Sequence, residues 1–204
     1  VETRGKSHGL PPAPEFVPWH LPQYMFFAEK GVVRYPDVEG LAEDILPFQA
    51  MLLGEDDLAA VAKAMAAQVP AVVAHEMFHF WRHTSGRLTQ DHWHEEWAAN
   101  RLAVAYLREH EPATLETTLD LAGRVLDRFP AVLDEPAERV LASCHQHQPD
   151  RTGYNMPMLT VAVVTLEMIR RLAREAPTWR AVIDDLLEPA PVGQVSELVD
   201  RRRA

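Results

Sequence analysis

Apolar positions along most of this chain recur every three to four residues, the spacing of a helix with one face turned inward. The pattern predicts helices over about 38–53, 55–69, 70–84, 90–110, 113–129, 134–147, 155–176, 177–188 and 193–203. Pro70, Pro112, Pro130, Pro136, Pro149, Pro157, Pro177, Pro189 and Pro191 fall near the joints, as breakers or first-turn residues. Before residue 38 the pattern changes. Pro11, Pro12, Pro14, Pro18 and Pro22 exclude a helix over 1–23, which reads as a Pro-rich extended arm, with Phe16 and Trp19 to pack it on the rest. In "QYMFFAEKGVVRYPD" (23–37), two apolar runs flank Glu29-Lys30-Gly31, so a short β-hairpin is expected, the only β segment. The predicted fold is mostly α: a single helical domain over 24–204 with a short β-hairpin near the N-terminus.

One predicted helix breaks the simple apolar pattern. "AVVAHEMFHFW" (71–81) is apolar almost all round, through Ala71, Val72, Val73, Ala74, Met77, Phe78, Phe80 and Trp81, yet holds His75, Glu76 and His79. Polar side chains in a buried helix need partners, because desolvation without a hydrogen bond costs stability. A metal ion would supply them. His75 and His79 stand at i and i+4 on one helical face, so both imidazoles can reach one ion while Glu76 sits beside its water: the HExxH arrangement. The bland alternative is a buried, hydrogen-bonded cluster without metal.

A single zinc ion of this type takes three protein ligands and leaves one position open. The helix in "DHWHEEWAANRLAVAYL" (91–107) carries Glu96, Asn100, Ala103 and Leu107 on one face. Glu96 supplies the third ligand, and Asn100, one turn on, a hydrogen bond to a ligand histidine that fixes its orientation. Glu95 is the rival, but it points about 100° away from Glu96, so only one of the pair faces the ion. Ala98, Ala99 and Ala103 are small enough to let the two helices approach closely. His83 follows His79 by a further turn, but three histidines so spaced span about 12 Å and cannot share one ion. His92, His94 and Asp91 read as rim groups at a helix start, after a turn at Ser85-Gly86 and an N-cap at Thr89 or Asp91.

"HEMFH" followed by "EEWAANRLAVAYL" resembles the gluzincin zinc peptidases, and especially the ImmA/IrrE-like peptidases, whose second helix reads E-x-x-A-N. "HFWRHTSGRL" is similar to a loop of the zincin domains in antirestriction proteins. The resemblance covers about residues 71–107. It implies a zincin-like domain, Zn2+ held by His75, His79 and Glu96, Glu76 as general base, Asn100 behind a ligand, and a peptide or protein substrate. Those relatives carry a small residue before the second histidine, where this chain has Phe78.

Amide hydrolysis at zinc develops an oxyanion that a His, Tyr or Arg donor helps to stabilise. "SCHQHQPDRTGYNMP" (143–157) concentrates such donors: His145, His147, Arg151 and Tyr154, with His145 and His147 too close in sequence to face a cleft together on a helix. A downstream His or Tyr is what the gluzincin resemblance implies; an ordinary polar loop is the other reading. The apolar stripe over 155–176 reads as core, with Glu167 the exception that needs an Arg or the metal site as partner.

The 204 residues, 47% hydrophobic and 25% charged, suit one globular domain. A net charge of −10 argues against a nucleic-acid surface, and "RRRA" at the end reads as a solvated tail. No apolar run approaches the roughly 20 residues needed to span a bilayer. The first residues lack the apolar core of a secretory signal, and Cys144, alone, reads as a small core residue in a reducing cytoplasm. The expected function is therefore a cytoplasmic zinc-dependent hydrolase, a metallopeptidase, using water activated by Glu76. Two other classes stay open. One is a carboxylate-bridged di-iron oxidoreductase built on Glu76-x-x-His79 with Glu96 and Glu167, although no second ExxH exists in the chain. The other is a non-catalytic, zinc-stabilised helical interaction domain, which has no use for Glu76.

Overall fold

Among the described residues, seven helices form where the hydrophobic period predicts them: α1 Ile45–Leu53, α2 Leu58–Ala67, α3 Val69–Thr84, α4 His92–His110, α5 Pro112–Arg128, α6 Met156–Glu175 and α7 Trp179–Leu187. The computed structural model describes residues 14–19, 25–27, 32–36, 45–85, 87, 92–129 and 156–187. The helices expected over 134–147 and 193–203, and the N-cap at Thr89 or Asp91, lie outside the described residues.

Local chemistry sets the helix ends. α1 stops at Gly54, whose φ of +61° is open to glycine at little cost, and Gly54 and Glu55 donate back to Met51 and Ala50 to close the last turn. A Cβ at Gly54 would also run into the Arg128 guanidinium. α2 begins at Asp57, whose carboxylate accepts the Ala59 N–H at 2.9 Å. α2 and α3 meet at Gln68 with a bend of 43°, and Pro70 stands in the first turn of α3, where no N–H is needed. At the far end of α3 the Thr84 and Ser85 hydroxyls donate to the Phe80 and Trp81 carbonyls, each at 2.7 Å.

The hairpin forms as expected from β2 (Met25–Phe27) and β3 (Val32–Pro36), antiparallel with Phe26 opposite Val33. The expectation that β structure ends there is corrected: part of the Pro-rich arm, Glu15–Trp19, is a strand, β1, running parallel to β3 in a three-stranded sheet of order β1-β3-β2. An edge strand tolerates Pro18, because a missing donor there breaks no ladder on the outer side. β2 and β3 both pack against α3.

α4 is the centre of the helical layer. It packs most extensively against α3, and also against α5, α6 and α7. Met77, Phe78, Phe80 and Trp81 of α3 meet Ala99, Leu102 and Ala105 of α4 and Trp179, Val182, Ile183 and Leu186 of α7. A second cluster joins α1, α2, α5 and α6 through Leu53, Val61, Val125 and Val163. A third, of Ala71, Val104, Leu107, Leu115 and Leu172, ties α3 through α6 together. Leu172 is fully buried there, so Leu172→Ala is expected to cost about 2–5 kcal/mol, read as a lower urea midpoint with an unchanged m-value. Glu167 finds its partners on its own helix, Arg170 at 2.6 Å and Arg171 at 2.8 Å. Among the described residues no single helix is long and apolar enough to cross a membrane.

Candidate metal centre

The apolar flanks of α3 bury it between the sheet and α4, and this burial forces its polar residues toward one another. The His75 and His79 rings stand edge to face, 4.8 Å between centroids, with their Nε2 atoms 3.0 Å apart. Glu96, reaching over from α4, places Oε2 at 3.2 Å from His75 Nε2 and Oε1 at 3.4 Å from His79 Nε2. Among the described residues, His75, His79 and Glu96 form a group whose ligand atoms lie within 4.8 Å of one another. Bonds of about 2.0–2.1 Å in a tetrahedron hold neighbouring ligand atoms about 3.3–3.4 Å apart. The observed separations fit one ion of zinc's size with little movement, and two imidazoles with one carboxylate are a donor set zinc accepts.

The back of each ring is supported. Asn100 donates its Nδ2 to the Glu96 carbonyl oxygen at 2.9 Å, which leaves Oδ1 to accept from His75 Nδ1 at 3.2 Å. That bond keeps the proton on Nδ1 and turns the lone pair of Nε2 toward the centre. Asn100 is 2% exposed, so its amide is spared competition from water. Asn100→Ala is expected to weaken zinc binding about 10- to 100-fold, measured by chelator competition. Glu95, the rival ligand, lies instead behind the second ring, with Oε1 at 3.6 Å from His79 Nδ1. The 100° between adjacent helix positions puts Glu96 on the Nε2 side and Glu95 on the Nδ1 side. Arg82 of α3 meets both Glu95 oxygens, at 3.4 and 3.3 Å. The sequence did not single out Arg82; the signal available was the second carboxylate of the Glu95-Glu96 pair, which once buried requires a cation.

Glu76 is 7% exposed, next to His75 on α3, and its charge acts on His79. Unlike Glu95 and Glu96, it takes no hydrogen bond or ion pair among the described residues. His83 and His94 are exposed and stand apart from the three-residue group. His145, His147, Arg151, Tyr154 and Cys144 lie outside the described residues, as do Asp91 and the side chain of His92.

Burial acts to lower the His79 pKa, but donation from its ring N–H groups to the Glu95 and Glu96 carboxylates and the charges of Glu96 and Glu76 outweigh it, pushing the group up from 6.5 to about 10. For Glu96, burial acts upward, and the charges and hydrogen bonds of His75 and His79 more than reverse it, holding the carboxyl far below its usual range. In the metal-free protein the His79 contribution to stability is complete below pH 6.5 and is lost as the pH rises through about 10. The Glu96 contribution is present above pH 4.5 and is lost as the pH falls below that value. The metal-free melting temperature should therefore decline on both sides of this window, from pH 4.5 to 6.5. Because His79 is protonated near pH 7 before metal enters, zinc uptake there should release about one proton, read in a weakly buffered indicator titration.

Compared with protein-family models, curated proteins and solved structures, the chain has no significant match.

Proposed function

We propose that this chain is a zinc-dependent hydrolase, a metallopeptidase, with His75, His79 and Glu96 as the zinc ligands and Glu76 as the general base. The observation that carries the reading is the coincidence of a three-ligand group with a buried carboxylate, Glu76, that has no hydrogen-bond partner among the described residues. A structural metal site, closed by its ligands, has no need of a carboxylate beside the ion. Zinc, when bound, polarises a substrate carbonyl and lowers the pKa of water to about 7. Glu76 takes the proton of the attacking water and delivers it to the leaving nitrogen. Asn100 and Glu95 hold the ligand rings while this happens.

The peptide or protein substrate, the kinship with ImmA/IrrE-like gluzincins and the cytoplasmic setting belong to the same reading. They rest on "HEMFH" followed by "EEWAAN", and on the lone Cys144. The oxyanion donor is assigned to His145, His147 or Tyr154 on chain order alone. The di-iron alternative needs Glu167 as a ligand, and Arg170 and Arg171 already engage that carboxylate.

The test is metal content of protein purified without added metal, followed by a peptide-library digest with and without chelator. Roughly one zinc per chain and chelator-sensitive cleavage support the reading. Two irons per chain, or no zinc after zinc is offered, overturn it.

A further inference from the structure

Glu95 is 4% exposed and lies outside the ligand group formed by His75, His79 and Glu96. A carboxylate so buried is held only if a cation meets it with good geometry. Arg82 does so as a fork, with Nε toward Oε1 and Nη2 toward Oε2, and a two-point contact fixes the carboxylate's plane as well as its position. The guanidinium is itself seated: its Cζ lies 5.7 Å from the centroid of the Phe78 ring, one helical turn earlier on α3. Phe78 belongs to the core shared by α3, α4 and α7, so the seat is rigid. The order of contacts is then Phe78 to Arg82, Arg82 to Glu95, Glu95 to His79 Nδ1, and it ends on a ring whose Nε2 faces Glu96.

We propose that Arg82 is a positioning residue of the metal centre: seated on Phe78, it clamps Glu95 so that Glu95 holds His79 with Nε2 aimed at the ion. The inference rests on the zinc reading above. It accounts for the large residue before the second histidine, since a small one would leave the guanidinium without a floor. Lysine cannot replace the arginine, because an ammonium on a flexible stem makes no planar fork. A mere tether between α3 and α4 would hold the helices together and leave the ligand geometry alone.

Arg82→Lys, which keeps the charge, and Arg82→Gln test the clamp by zinc affinity in chelator competition and by the visible spectrum of the Co2+-loaded protein. Circular dichroism checks that each variant is folded. Both variants are expected to bind zinc about tenfold or more weakly and to shift the Co2+ bands. In a Glu95→Gln background, Arg82→Lys should add less than about twofold, because it acts through Glu95. Unchanged affinity and Co2+ spectrum in folded variants would overturn the clamp while the zinc centre stands. So would a full extra loss in the Glu95→Gln background. A parent protein that takes up neither zinc nor Co2+ would overturn the metal centre itself, and the clamp with it.

Discussion

Glu76→Gln is expected to lower turnover by about 10²- to 10⁴-fold, the range a general acid–base group contributes, with zinc still bound at the parent stoichiometry. The substitution keeps the size and shape of the side chain and removes only its ability to hold a proton. Glu76 is outside the group formed by His75, His79 and Glu96, so metal content should not follow activity. The swap should be mild for the fold, because Glu76 takes no hydrogen bond or ion pair among the described residues that the amide would break. The measurement is the rate on any library peptide that the parent cleaves, together with zinc per chain. Parent-like cleavage by the variant would remove Glu76 from the mechanism.

Glu96→Ala is expected to lose the metal. Structural zinc sites gain about 10–16 kcal/mol from four ligands, so one ligand is worth about 3–4 kcal/mol, or roughly 10²- to 10³-fold in affinity. The variant also leaves His79 without the closest carboxylate on its Nε2 side, while Glu95 still holds Nδ1. The metal-free Glu96→Ala protein should therefore lose part of the stability that the parent shows between pH 4.5 and 6.5. Glu95→Ala makes the contrast: Glu95 lies on the Nδ1 side, so its loss should weaken zinc only about 10- to 100-fold. Equal losses from the two variants would show that the carboxylates share the ligand role. Zinc affinity by chelator competition reads both.

Much of this site was legible in a single stretch. His75, Glu76 and His79 are set by helical spacing, and an apolar surround makes the helix bury itself, so the polar face follows from the residue order on α3. The reach to Glu96 and Asn100 was legible because the second helix repeats the same period, with small residues where α3 comes close: Ala99 and Ala103 are both buried. What the period could not show was which ring atom each partner meets. That Asn100 backs His75 and Glu95 backs His79 depends on the rotation and height of α4 against α3, which the packing of Leu102, Trp179 and Ile183 determines. Arg82 was invisible for the same reason. An arginine in the last turn of a helix looks like a solvated group until a buried carboxylate is found opposite it.

The strands tell a similar story at lower resolution. Two apolar runs around Lys30-Gly31 were enough for the β2–β3 hairpin, since a hairpin is a local structure. The parallel strand Glu15–Trp19 was read only as extended, because Pro18 and its neighbours argue against a ladder and parallel pairing joins distant segments. By itself, then, the sequence determined a mostly helical chain, an HExxH helix turned inward, and the candidate ligand set, all of which follow from periods of two or 3.6 residues and from burial. Only the tertiary structure decided that Glu96 fronts the histidines while Glu95 stands behind one of them, that Glu167 pairs with Arg170 and Arg171 on its own helix, and that part of the Pro-rich arm joins the sheet beside α3. These are questions of distance between segments far apart in the chain, fixed by the way three apolar clusters interlock and not by any local spacing.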